Sequence, residues 1–351
     1  MRAFIPLLAL AGVAAAQKPF SLPNGFPGNV SPQALAQIQK EAGGTLPNTG
    51  LPTQLKPGSI LSLQIIAVNE IFEVAYFNSL LHNVTNDVPG YKVANKAYIV
   101  KTLKAIVAQE QLHGIGANAI LVSAGQKPVP ACRYRYQATS FIAAINLAQV
   151  FTELVLGTLQ AVAQQFSLDG GQSAAGLVPL LASIVAQEGE QTGAYRLLQR
   201  KVPSPAPFLT GAGGAFAFNA IGQNFIIPGS CDALLKSTGI PFWATLSTTA
   251  RAPLQGRTQK LTFTTSFTRI TSRHRLAYIS GQNKPVVVSI SNICHHGNTV
   301  NFDAILPFDA GAASFSKGLT IAALVSTRGP FASPAEVATA TVAGPGLLQI
   351  E

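Results

Sequence analysis

The pentapeptide IVAQE occurs twice, in Ile106–Ala117, "IVAQEQLHGIGA", and in Ile184–Tyr195, "IVAQEGEQTGAY". In each copy an apolar helical pattern runs straight into a glutamate. On a helical wheel Ile99, Leu103, Ile106, Ala117 and Leu121 lie within about 40° of Glu110, and His113 follows one turn later. Leu177, Leu181, Ile184 and Tyr195 share the face of Glu188 in the same way. A third segment repeats the pattern: Leu63, Ile66, Phe77 and Leu81 share the face of Glu70, with Glu73 close to it. Three glutamates therefore stand where leucine is expected. An unpaired buried carboxylate costs several kcal/mol or stays protonated, and no Lys or Arg lies on these stripes. A cation, a shared proton or a polar cluster has to neutralise them. Carboxylates with an imidazole at i+3 suit a hard cation or iron.

The surrounding periodicity places four long helices near residues 59–83, 92–125, 138–167 and 174–201. The breaks between them carry turn chemistry: "NDVPG" at 86–90, "GQKPVPAC" at 125–132 and "DGGQ" at 169–172. Glu70 and Glu110 are equidistant from Gly90, and Glu153 and Glu188 bracket Gly170–Gly171, so each helical hairpin is expected to bring its two carboxylates level. Residues 126–137 are long enough to run back along a helix, as a crossover bundle requires. Glu153 is the least apolar of the set. Its face carries Asn146, Gln149, Gln160 and Gln164, which fits either a solvated residue or a polar interior layer, while Leu147, Phe151, Leu154 and Val162 point away.

The flanking segments set the architecture. The N-terminus, "MRAFIPLLALAGVAAAQ", has an early Arg2, a short apolar run and an A-x-A pattern, which reads as a secretory signal peptide over residues 1–16. Residues 17–57 form a Pro/Gly-rich arm with one short helix, Ser31 its N-cap and Pro32 its first residue. The helical bundle spans 58–202, and a Pro/Gly-rich connection spans 203–250. From 251 to 351 the period becomes two, in "KLTFTTSFTRI", "PVVVSISNI", "TVNFDAILPF", "LTIAALVS" and "GLLQIE". The fold class is thus α+β multidomain, a four-helix bundle followed by a small β-sandwich, for which an immunoglobulin-like arrangement is one form.

Composition narrows the setting. The 351 residues carry a net charge of +10, but charged residues make up only 11% and the basic ones are scattered, which argues against nucleic-acid binding. Beyond the signal segment no stretch is read as a membrane span. Asn29 and Asn83 open N-x-S/T sequons suited to a secreted glycoprotein. Cys132, Cys231 and Cys294 imply one disulfide and one free or intermolecular thiol in an oxidising compartment. The pairing does not follow from the sequence, and Cys132 with Cys231 is the first assignment. "NICHHGN" reads as a turn with exposed histidines, and no hydrolase nucleophile motif is present.

The stretches "NEIFEVAYFNSLLHNVT" (69–85), "AQEQLHGIGANAIL" (108–121), "FTELVLGTLQ" (151–160), "AQEGEQTGAYR" (186–196) and "NFIIPGSC" (224–231) give the chain a family resemblance. It resembles the ferritin-like superfamily, in particular secreted fungal late sexual development or stress-response proteins, over roughly residues 55–245. The resemblance implies metal-ligand roles for Glu70, Glu110, His113, Glu153 and Glu188, with Glu73 a secondary candidate. It departs at Gln191, where the second Glu-x-x-His motif normally ends in histidine and a neutral amide is a poor iron ligand. The expectation is therefore at most one ion of iron or manganese in a partial or degenerate di-iron-type site, with metal-dependent oxidoreductase chemistry left open. Such proteins imply a cell-wall or extracellular partner. The alternative is a metal-free structural or wall-interaction protein whose buried glutamates and Gln191 form a polar network.

Overall fold

A computed structural model describes residues 18–250, 252–309 and 315–351. The expected signal peptide lies outside these residues. The chain begins with the helices α1 (Pro32–Ala42), α2 (Pro57–Thr85), α3 (Lys96–Ser123), α4 (Phe141–Asp169), α5 (Gly171–Ala175) and α6 (Leu177–Leu198) among the described residues. The four long ones fall where the apolar periodicity put them. Helix α2 is apolar on every side because it is central, packing against α3 and α4 and against a later helix, α7 (Gly214–Asn224). Its N-terminus is tied down from α4, where Asp169 accepts hydrogen bonds from the Ser59 amide (2.8 Å) and hydroxyl (2.6 Å). Both α2 and α4 have the length and hydropathy of a membrane-crossing helix, but 83% and 72% of their most apolar windows are buried against the rest of the protein.

The order of the helices follows from where the chain turns. α2 and α3 form a hairpin around Gly90. Residues 124–140 then travel back along α3. At one end of this return Asn118 brackets Val129, its side chain accepting from the Val129 amide and donating to the Val129 carbonyl. At the other end the Phe141 amide donates to the Gly90 carbonyl, and the Tyr91 hydroxyl donates to the Ala138 carbonyl. Helices α3 and α4 therefore start at the same end of the molecule, as the long link predicted. The Cys132–Cys231 disulfide anchors the return segment, and Cys294 is free and exposed.

The arm is packed rather than loose. Ser31 caps α1 by accepting from the Ala34 amide, and α1 lies against α3. Phe26 is completely buried in the helical core. Gly114 on α3 makes room for it, since a Cβ there would stand 3.3 Å from the Phe26 ring.

After α7 come α8 (Asp232–Ser237), β1 (Leu246–Thr248), β2 (Gln259–Thr265), β3 (Arg275–Ser280), β4 (Val286–His296), β5 (Thr299–Leu306), β6 (Gly318–Val325), α9 (Pro334–Ala340) and β7 (Thr341–Ile350). The expected sandwich of two stacked sheets is instead one antiparallel sheet with the unbroken order β1-β2-β5-β4-β3-β6-β7. It curls until its edges nearly meet, with bridges from Ala244 to Ala343 and from Leu254 to Ile350. Phe263, Phe302 and Tyr278 fill its inside. Its outer face carries Ile279, Ile321 and Ala323, which pack on Leu154 of α4 and Phe216 of α7. Strand β6 is therefore buried on both faces, which explains why "LTIAALV" is continuously apolar and not alternating. Strands β1 and β3 carried too little alternation to be expected.

Candidate metal centre

Three helices converge on one buried cluster. Glu70 comes from α2, Glu110 and His113 from α3, and Glu188 from α6; one ligand atom from each lies within 4.8 Å of all the others. The i, i+3 spacing on α3 aims both its side chains at the same point, and His113 Nδ1 sits 2.9 Å from Glu110 Oε2. The same nitrogen is 3.3 Å from Glu70 Oε2 and 4.0 Å from Glu188 Oε1. The hairpin symmetry about Gly90 thus does bring Glu70 and Glu110 together. Glu73, one turn further along α2, is a fourth fully buried carboxylate beside them.

Electrostatics mark this interior as short of positive charge. Burial pushes the Glu70 carboxyl up to about 7, against the pull of His113 and with a push from Glu110. Burial also drives Glu73 and Glu188 well above the usual carboxylate range, and the neighbouring glutamates add to it. Burial works to lower His113, but Glu110 and Glu70 override it and hold the ring well above the ordinary histidine value. Both oxygens of Glu70, Glu73 and Glu188 lack hydrogen-bond partners. A cluster of three carboxylates and one imidazole with unsatisfied buried oxygens can hold a metal ion.

Gln191 occupies the remaining side. Its Nε2 donates to Glu110 Oε1 at 2.6 Å, and its Oε1 accepts from the Tyr195 hydroxyl at 2.9 Å. The amide satisfies the one Glu110 oxygen that faces away from His113. Glu190, the other acid of this copy, stays exposed.

Glu153 does not join the cluster, contrary to the role the resemblance gave it. Its face of α4 is opposite Phe151, Val155 and Leu159, which are the residues packed into the helical core. It accepts instead from Gln149 (2.9 Å) and from Gln349 of β7 (2.8 Å), with the Arg196 guanidinium 3.7 Å away. Along the axis it is also out of step. Gln149 meets Gln199 and Glu153 meets Arg196, so this hairpin is centred on about position 174 and not between Gly170 and Gly171, because α5 is interposed. Its partner on α6, Arg196, lies eight residues beyond Glu188, about 12 Å along a helix.

This second polar cluster was not expected from the sequence. Arg196 is fully buried, donates to Glu351 at 2.9 Å and to the Val202 carbonyl, and Lys201 stands 3.4 Å from Glu351. Only the run of glutamines on the α4 face hinted at a polar layer. Of the expected glycosylation sites, Asn29 is exposed before α1 and Asn83 is half-buried in the last turn of α2. His295 and His296 are exposed at the end of β4, next to a turn at Gly297.

No protein-family model and no curated protein sequence matches the chain.

Proposed function

We propose that this is a secreted ferritin-like protein whose helical core binds one iron or manganese ion through Glu70, Glu110, His113 and Glu188. The single observation that carries this reading is the convergence of those four side chains in an interior with unpartnered carboxylate oxygens. Four long helices with a long return between the second and third support the ferritin-like assignment. The disulfide fits an oxidising compartment, and with the resemblance to fungal late sexual development and stress-response proteins it favours an extracellular or wall-associated setting.

The protein's own groups would do three things. The glutamates neutralise the ion, His113 supplies its one nitrogen donor, and Gln191 with Tyr195 fixes the orientation of Glu110. An iron or manganese ion bound there would supply one-electron redox chemistry. Gln191 blocks the position that a second Glu-x-x-His histidine would take, so one ion per chain is the expected load.

The test is metal analysis of the purified, secreted protein. About one equivalent of iron or manganese is expected, with loss of that metal in a folded Glu110→Ala/His113→Ala variant. A folded protein that takes up neither metal on titration overturns the reading. It would leave the second one, a metal-free core in which the Gln191–Glu110 and Glu110–His113 bonds fix helix register.

A further inference from the structure

A cavity of about 360 Å³ lies beside the cluster, between α3, α6 and the turn that follows α1. Its wall is aliphatic, with Leu63, Ile66, Leu112, Leu181 and Ile184 among its residues, and His113 is one of the few polar groups in it. Its volume is that of a small-molecule site. Residues 42–47 cover it, and this cover is pinned at two points. The Leu46 amide donates to Gln39, and the Gln109 side chain donates to the Ala42 carbonyl. A second cavity of about 610 Å³ adjoins it, sharing Leu46, Gly116, Ile120 and Leu180 and continuing under residues 49–53.

His113 sets the polar end. Its Nδ1 is directed at Glu110 and Glu70, so its Nε2 is the ring nitrogen left for the cavity, and the side chain is 13% exposed. With Nδ1 given to a carboxylate as a donor, Nε2 is an acceptor in the neutral ring and a donor in the charged one; with Nδ1 given to a metal, Nε2 carries the proton. A hydroxyl group, which both donates and accepts, satisfies this nitrogen in each of these states. A carboxylate head, which only accepts, leaves Nε2 unsatisfied where that nitrogen is itself the acceptor.

We propose that this cavity is a binding site for an uncharged aliphatic alcohol of medium chain length, its hydroxyl on His113 Nε2 and its chain along α3 and α6 beneath residues 42–47. The proposal rests on the metal-site reading only in taking His113 Nδ1 as engaged by the cluster, and Nδ1 is engaged in either case, by an ion or, without one, by Glu110. Gly116 is the bare point in the wall of both cavities. A Cβ there would meet nothing closer than Leu46 at 3.8 Å, so a longer side chain fills the space without touching the glutamates.

The experiment titrates decan-1-ol into the full-length protein, once with manganese and once after chelation, following binding by calorimetry. One saturable site is expected in both forms. Decanoate should bind at least tenfold more weakly, and Gly116→Leu should weaken decan-1-ol at least tenfold while leaving manganese uptake unchanged. A Leu180→Trp variant, which narrows the same cavity from α6, guards against a folding defect in the first and should weaken binding likewise. Absence of saturable binding in both forms overturns the proposal, as does undiminished binding in either folded variant. Decanoate binding as tightly as the alcohol overturns the neutral head group. Failure of the metal reading appears separately, as alcohol binding in a protein that takes up no manganese.

Discussion

The Gln191 side chain donates from α6 to Glu110 across 2.6 Å. The amide uses up the Glu110 oxygen that His113 leaves free. Gln191 thus positions one of the cluster's carboxylates.

Replacing Gln191 with Leu removes a hydrogen bond to a buried carboxylate and leaves Tyr195 without its acceptor. The variant should lose about 1.5–3 kcal/mol of stability, read from urea unfolding of the metal-free protein. An unchanged midpoint would show that the amide bears no share of the core's stability.

The separation of Glu153 from the cluster gives a contrast. Glu153→Gln should leave metal stoichiometry at its native value, because its partners are Gln149, Gln349 and Arg196. Glu188→Gln should lower metal affinity at least tenfold, since it removes one of the three carboxylate donors. Equal losses in the two variants, measured by manganese titration, would contradict this division.

The pH dependence of the metal-free protein follows from the raised carboxyls. Glu70 titrates near 4.5 in the unfolded chain and at about 7 in the folded one, and Glu73, Glu188 and His113 are also displaced upward. The folded state holds the extra protons, so stability is greatest below the unfolded values and falls as pH rises from about 4.5 through 7. Thermal melting should therefore drop between pH 5 and pH 8 in the chelated protein. Metal competes for the same oxygens, so its affinity should rise over that interval and flatten the loss.

Arg196 is buried between Glu153 and Glu351. Arg196→Leu strips the guanidinium from both carboxylates and should cost about 3–5 kcal/mol, whereas converting Arg196 and Glu153 together to Leu and Gln should recover part of it. Denaturant unfolding of the single and double variants tests the coupling, and strictly additive effects would refute it.

How much of this was legible in the sequence depends on the range of the interaction. The positions of the four long helices and the burial of Glu70, Glu110 and Glu188 followed from apolar stripes interrupted by carboxylates, because that signal is local to each helix; their meeting with His113 in one cluster was what the resemblance implied. Glu153 was misplaced for a reason visible on the same wheel. Phe151 and Val162, read as pointing away from it, mark the core side, so the glutamate had to face outward from that core. The Arg196 cluster needs Gln349 and Glu351, which lie about 150 residues away in sequence and leave no periodic trace. The curled sheet was mistaken for a sandwich because period two reports strands and faces but not whether the first and last strands meet.

The Cys132–Cys231 disulfide closes a covalent ring around α4, α5, α6 and α7. Glu188 and Gln191 belong to that ring, while Glu70, Glu110 and His113 lie on the chain outside it. The carboxylate–histidine cluster is therefore assembled across the ring's boundary. A single backbone cut between residues 133 and 187 would leave the two halves of the cluster in one molecule, to separate only when the bridge is reduced.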